Sequence, residues 1–134
     1  LLRGKGELVN GSRLIYGIEQ HAMRPLNFIA NHGFALLFTW LLGQRITDTL
    51  CGTKVLFKKD YQDIVHNRSY FGDLDPFGDF DLLFWAAKLN RKIIDMPVRY
   101  KRRSYGTSQI SRFRGGFMLL MMSMVAFKKF KLKK

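Results

Sequence analysis

The sequence predicts an α/β fold, and three features carry that expectation. Segments of strand character alternate with segments of helical periodicity in the order strand, helix, strand, helix, strand, helix, which is the pattern of a layered sheet-and-helix domain. The 134 residues are 47% hydrophobic with only 3 prolines, enough apolar surface for one domain with a real core and too much for a disordered or low-complexity segment. The single cysteine, Cys51, excludes a disulfide framework and an all-cysteine metal cage.

The elements follow in chain order. Residues 7–15 (ELVNGSRLI) read as a short strand running into a polar turn at Gly11 and Ser12. A long helix is predicted over 22–42, where Leu26, Ile29, Ala30, Gly33, Leu37 and Trp40 fall on one stripe at helical spacing. Phe28, Phe34 and Phe38 lie off that stripe, so this helix is apolar on more than one side, and Gly43 is its stop. The small, polar residues 46–54 form a loop leading to a strand at 55–57, and Asp60 is placed to cap a short helix ending near Val65. Turn chemistry fills 70–78. An amphipathic helix over 79–90 carries Leu82, Trp85, Ala86 and Leu89 on one face. The strand predicted at 92–100 contains Pro97, a sign of an edge or a strand end. A basic, glycine-containing loop (101–109) then leads to an apolar helix over 113–132.

Charge is distributed unevenly. Of the net +13, residues 1–98 contribute +2, with 12 Lys/Arg against all 10 acids, and residues 99–134 contribute +11 with no acid at all. Such asymmetry points to an anionic partner: nucleic acid, anionic lipid or a phosphorylated substrate. No uninterrupted apolar run reaches the roughly 18 residues of a membrane span, and no signal peptide is visible. The chain opens on Leu1-Leu2 without Met and enters a strand almost at once, as a piece of a longer chain would.

Four segments in order resemble one family. Val9-Asn10-Gly11-Ser12-Arg13 is similar to a V-x-G-S-R segment, and Asp48-Thr49-Leu50-Cys51-Gly52-Thr53-Lys54 to D-T-x-x-G-x-K. Phe77-Gly78-Asp79-Phe80-Asp81-Leu82-Leu83 is similar to F-E-x-D-L. Met96-Pro97-Val98-Arg99-Tyr100, with Arg103, Gly106 and Ser108, is similar to V-P-I-x-Y-x-x-R-x-x-G-x-S-K. These are segments of family-2 glycosyltransferases, in the branch of dolichol-phosphate mannose synthases and other polyprenyl-phosphate glycosyltransferases. The resemblance spans about residues 8–110. Asp79 stands where the family usually has Glu, and Gln109 where Lys is common.

The resemblance implies the C-terminal half of a GT-A (Rossmann-like) glycosyltransferase domain: a partial mixed sheet with flanking helices over 1–110, then a basic amphipathic helix over 111–134. The family's nucleotide-binding half, with the D-x-D segment that holds Mg or Mn and the sugar diphosphate, has no counterpart in these residues. A divalent cation and a nucleotide-sugar donor are therefore implied for the full-length enzyme, with no metal ligand in this chain and no activity expected of it alone. The implied activity is inverting transfer of a sugar to a polyprenyl-phosphate-type or other acceptor.

Residue chemistry supplies candidate roles. Asp79 and Asp81 open a helix after a Gly-Pro turn, where a carboxylate can deprotonate an acceptor hydroxyl, or orient an acceptor phosphate that is already ionised. The plainer reading is that both suit the helix N-terminus. Arg13, Lys54 and Arg103 each lie beside glycine or serine, so backbone N–H groups and a cation can approach one phosphate together. Arg24 is a weaker candidate. The resemblance adds Ser108 to the acceptor-binding set and makes Asp48, Gly52 and Gly106 the supporting loops. The plainer reading of the cations is an ordinary solvated surface. Cys51 reads as a packed small residue. His21, His32 and His66 show no zinc spacing and read as surface or structural residues.

The 11 apolar residues 117–127 are too few to span a bilayer and are flanked by Arg112, Arg114, Lys128, Lys129, Lys131, Lys133 and Lys134. An apolar centre with cationic ends suits an anionic membrane surface, and the 22–42 helix can share it. A peripheral protein at the cytoplasmic face of the membrane is therefore expected. Two other functions fit the composition: a basic nucleic-acid-binding module, with Tyr100, Tyr105 and Phe113 among the cations, and a non-catalytic membrane-surface scaffold. No nucleic-acid motif is recognisable, and the Met/Leu run suits lipid or protein better than bases, so no nucleic-acid partner is expected.

Overall fold

A computed structural model describes residues 1–15, 25–67, 78–99 and 112–132. Three strands make a mixed sheet of order β2-β1-β3: β1 (Leu8–Ser12), β2 (Lys54–Leu56) and β3 (Ile93–Pro97). β1 runs antiparallel to β2, with Val9 opposite Val55, and parallel to β3, with Val9 opposite Ile94. The helices are α1 (Pro25–Leu42), α2 (Lys58–His66), α3 (Asp79–Lys88) and α4 (Arg112–Phe127). The last continues into a π-helical segment, Lys128–Leu132. The α/β expectation is met by this mixed sheet and its helices.

The core lies where α1, α3 and α4 cover β1. Phe38 of α1 and Phe80 and Phe84 of α3 are fully buried, with Phe38 ring centroids 4.4 Å from Phe80 and 5.0 Å from Phe84. Such aromatic pairs add roughly 0.5–1.5 kcal/mol each beyond their area burial. Leu8, Leu83, Leu119 and Met122 belong to the same cluster, which thus includes residues of α4.

α1 divides its apolar residues between two sides, in keeping with the sequence. Its buried positions are Asn31, Ala35, Phe38 and Leu41, while Leu26, Ile29 and Trp40 are exposed. Phe38 is the ring that meets α3, and the periodicity of the other apolar stripe belongs to the outside of the helix. At 18 residues α1 is also long and apolar enough, by length and composition, to cross a membrane, although no unbroken apolar run was apparent in the sequence. It ends at Leu42 before Gly43, whose φ of +65° stops the helix as expected. Beyond it, Thr39 Oγ1 accepts from Ile46 N at 3.0 Å and donates to Ile46 O at 3.1 Å, fixing where the next loop begins.

α2 differs from expectation at its start. Phe57, not Asp60, is the N-cap residue, and no side chain caps the helix. Asp60 lies in the first turn, buried, where it accepts from Arg91 Nη2 at 2.8 Å; Arg91 Nη1 also reaches Glu7 Oε1 at 3.0 Å. Lys92 N–H donates to Glu7 Oε2, and that bond, with Arg91 nearby, holds the Glu7 carboxyl below its ordinary value. β3 ends at Pro97, as the sequence suggests, and the Gln44 amide brackets its start by accepting from Ile93 N and donating to Arg91 O. At the other end of the chain, the π-helical turns bring Phe130 against the core, 6.2 Å from Phe84, so the polybasic end is anchored by an aromatic ring.

Candidate functional site

β1 changes chemistry along one face. Side chains alternate across a strand, so Leu8, Asn10 and Ser12 share a side. The first of these is core, and the other two are buried polar groups at the carboxyl end. There they meet the loop after α1. Asn10 Nδ2 donates to Asp48 O at 2.9 Å and to Asp95 Oδ1 at 2.7 Å, Thr47 N–H donates to Asp95 Oδ2 at 2.7 Å, and Thr47 Oγ1 donates to Ser12 Oγ at 2.7 Å.

Asp48 is fully buried and is gripped from several sides. Its Oδ2 accepts from Arg13 Nε at 2.7 Å and Arg13 N at 3.0 Å, and its Oδ1 accepts from Arg13 Nη2 at 2.9 Å and Leu50 N at 3.1 Å. Burial alone would push this carboxyl up. The hydrogen bonds and charge of Arg13, with a further bond from Asn31 on α1, hold it below its ordinary value. Arg13, expected to approach a phosphate, thus engages Asp48 bidentately, and the two form a latch between the end of β1 and the loop after α1.

The segment 51–54 is threaded tightly against β1. Gly11 N–H donates to Thr53 O at 2.7 Å, and a Cβ on Gly11 would lie 2.8 Å from Thr53 Cβ and 3.1 Å from Cys51 Sγ. Only glycine permits that approach. Cys51 is buried here, the packed residue expected. Gly52, by contrast, is exposed and borders open space, so packing does not require it.

Lys54 begins β2 and buries its side chain to 3% exposure. Its Nζ donates to the Cys51 carbonyl and lies 3.8 Å from Asp79 Oδ1. Desolvation lowers the pKa of this ammonium, and the negative charges of Asp79 and Asp48 oppose the shift. Asp79 is the first residue of α3, after Gly78 in the left-handed conformation at φ 74°, and keeps 18% of its side chain exposed. Asp81, in the same turn, is buried. Both acids also sit where the helix dipole favours negative charge.

The structure therefore brings Lys54 to Asp79, and the latch of Arg13 and Asp48 beside them, at one end of the sheet. This is the carboxyl end of the parallel pair β1 and β3, the end at which α/β sheets bind ligands. β3 leaves it through Val98, whose N–H donates to Ser12 O at 2.9 Å, and the exposed Arg99. Arg103, Gly106, Ser108 and Arg24 lie outside the described residues. His32 is an exposed α1 residue 4.3 Å from the Phe28 ring, and His66 is an exposed residue in the last turn of α2; His21 lies outside the described residues. Sequence reading missed Asn10, Thr47 and Asp95. A signal was present, since Asn and Asp are depleted in strands, and both stand mid-strand here.

Among the described residues no three His, Cys, Asp or Glu side chains converge, and Asp79 faces an ammonium, which repels a second cation. These residues do not make a divalent-cation site, so no step is routed through one. Comparison with protein-family models, curated proteins and solved structures gave no match, and the functional reading rests on the residues themselves.

Proposed function

We propose that the carboxyl edge of this sheet is the acceptor side of an inverting glycosyltransferase of GT-A type, which moves a sugar from a nucleotide-sugar donor to a polyprenyl-phosphate-type acceptor. One observation carries the reading: Lys54 and Asp79, taken from two separate motifs of the sequence, meet at 3.8 Å at this edge. In such a transfer an acceptor phosphate oxygen attacks the anomeric carbon, the bond to the donor diphosphate breaks, and the diphosphate leaves with the electron pair. The acceptor is already anionic, so no base is required. What the site must supply is positioning and positive charge.

Lys54 suits that role. It is desolvated, so its charge acts at low dielectric, and its pair with Asp79 is long enough for a phosphate oxygen to compete for the ammonium. Asp79 orients Lys54 and, with an alcohol acceptor, is the group in place to take its proton. The latch holds β1 and the 47–54 segment so that Lys54 stays in register.

The test is a titration of the chain with farnesyl phosphate and, in parallel, farnesol. Binding of the phosphate but not the alcohol is expected, with a loss of about tenfold or more in affinity in Lys54→Met, the loss of one charge-assisted bond. Equal binding of phosphate and alcohol, or an unaltered affinity in Lys54→Met, would overturn the reading.

A further inference from the structure

The segment that carries Lys54 and the segment that carries Asp79 are cross-linked twice. At the carboxyl end of the sheet Lys54 lies 3.8 Å from Asp79, and at the amino end Asp60 meets Arg91 at 2.8 Å. Each segment is stiff. Only Phe57 separates β2 from α2, and α3 is a rod of 10 residues, about 15 Å long, with Asp79 at its head. Arg91 is fixed to the tail of that rod. Its N–H donates to Ala86 O at 2.7 Å and the Asn90 N–H donates to Ala87 O at 3.0 Å, while Asn90 takes the left-handed φ of 53°. This pair of bonds is a Schellman turn, which sets the direction in which the chain leaves a helix. Packing alone does not set the spacing of the two segments, because a cavity of about 10 Å³ lies between Leu56 and Ile64 on one side and Ala86 and Leu89 on the other.

We infer that Arg91 is a positioning residue for the mouth: through Asp60 and Glu7 it fixes the spacing of α3 from the β2–α2 segment, and with it the gap between Lys54 and Asp79. The guanidinium is suited to this. Its Nη2 holds Asp60 of α2 while its Nη1 reaches Glu7, just ahead of β1, at 3.0 Å, and a planar fork shared by two carboxylates sets angle as well as distance. Glu7 returns to the same turn by accepting from Lys92 N at 2.9 Å, and the Arg91 carbonyl accepts from Gln44 Nε2 at 3.0 Å. Four separate parts of the chain are thereby held at one point. With this link in place the mouth keeps its width and Lys54 stays buried against the Cys51 carbonyl. With it broken, α2 and α3 are free to part across the cavity, and Lys54 gains water. The inference rests on the proposed function only for the identity of the group that enters the gap.

The experiment follows Lys54 in the whole chain. Acylation by acetic anhydride, read lysine by lysine in a mass spectrometer from neutral to alkaline pH, gives a rate profile for Lys54 with no acceptor present. In Arg91→Gln the plateau rate at Lys54 is expected to rise at least about threefold, and farnesyl phosphate binding to weaken by a similar factor. The midpoint of the profile is expected to move toward 10.5, since burial is the larger influence on this group. Arg91→Lys keeps the charge and loses the fork, and is expected to recover part of each change. Asp60→Asn separates spacing from bare charge. Loss of a cation and loss of an acid act in opposite directions on a bound anion, so weaker binding in both variants marks a shared geometry. An unchanged Lys54 profile in an Arg91→Gln protein with the circular dichroism spectrum of the unmodified chain would overturn the inference, as would opposite changes of affinity in Arg91→Gln and Asp60→Asn. If farnesyl phosphate does not bind the unmodified chain, the proposed function falls and the Lys54 profile decides the positioning role by itself. Should Arg91→Gln misfold, the profile in Asp60→Asn, which leaves Arg91 joined to Glu7, is decisive: a faster plateau supports the role and an unchanged one removes it.

Discussion

The corner where β1 meets the 46–53 loop and the mouth of α3 hold one acid–base pair each, and the two are built differently. At the corner, Arg13 and Asp48 meet at 2.7 Å with side chains 15% and 0% exposed, and each Asp48 oxygen accepts two hydrogen bonds. At the mouth, Lys54 and Asp79 are 3.8 Å apart, and Asp79 keeps an open side. A buried charge is tolerated when its hydrogen-bonding capacity is filled, and removing either partner then leaves the other stranded. A longer, partly open pair has weaker mutual hold and room for a third group. The corner is thus the tighter of the two, and the mouth is where the proposed acceptor would bind.

The comparison breaks most readily at the corner. Asp48→Ala strands Arg13 and the N–H groups of Arg13 and Leu50, and a loss of about 3–5 kcal/mol in urea unfolding is expected. Asp48→Asn is expected to change the acid limb as well. Because the folded-state pKa of Asp48 is lowered from 3.8, its contribution is complete above that value and lost as pH falls below it. The Asn variant should show less loss of stability over that range. If both variants unfold as the unmodified chain does, the corner is no brace.

Gly11→Ala sharpens the same point with a smaller effect. The added methyl meets backbone as well as side chain, since Thr53 O would lie 3.0 Å from it, so the strand cannot simply yield. Overpacking of this kind costs about 1–3 kcal/mol. The displacement should also reach Lys54, one residue along, and weaken farnesyl phosphate binding. Asp79→Asn gives a different signature at the mouth. A first-turn acid contributes roughly 0.3–1 kcal/mol to its helix, and its loss also leaves the desolvated Lys54 with less counter-charge, so the urea midpoint should fall, but less than in Asp48→Ala. If the proposed sugar transfer holds, its turnover in Asp79→Asn should fall about a hundredfold or more with an alcohol acceptor, whose proton Asp79 would take, and much less with a phosphate acceptor, for which it only orients Lys54.

Much of the fold was legible because it rests on local pattern. The strand at Leu8–Ser12, the strand ending at Pro97 and the helix opening at Asp79 each follow from alternation, a proline or an acidic first turn. Which side of α1 faces outward was not legible, for a physical reason. Periodicity reports that a helix has an apolar side but not which side meets the core, and α1 has two; Phe38 against Phe80 settles it through a contact 42 residues distant. The candidate site was half legible. Motif chemistry named Lys54, Asp79 and Asp48, but the partner of each is set by tertiary packing, which brings residue 13 to residue 48 and residue 54 to residue 79. Asn10 and Asp95 escaped because their value lies in meeting each other across the parallel pair and in holding the 47–48 segment, contacts far apart in sequence.

The smallest expected effect is also the one that joins the two regions. Lys54 is buried enough that desolvation lowers its pKa from 10.5, against the pull of Asp79. Between the lowered value and 10.5 the unfolded chain holds a proton that the folded chain has released, so stability rises with pH across that window. Below the window both states are protonated and the slope vanishes. Lys54→Met should lack this alkaline rise, and a comparison of urea midpoints for the two proteins from neutral pH upward isolates it from the other lysines. Farnesyl phosphate should then move the rise. An anion bound at the mouth favours the charged ammonium, so the lowered pKa returns toward 10.5 and the window narrows. The corner offers no such response, because Asp48 already fills the guanidinium of Arg13. An alkaline rise that is the same with and without the ligand would mean that the phosphate does not reach Lys54.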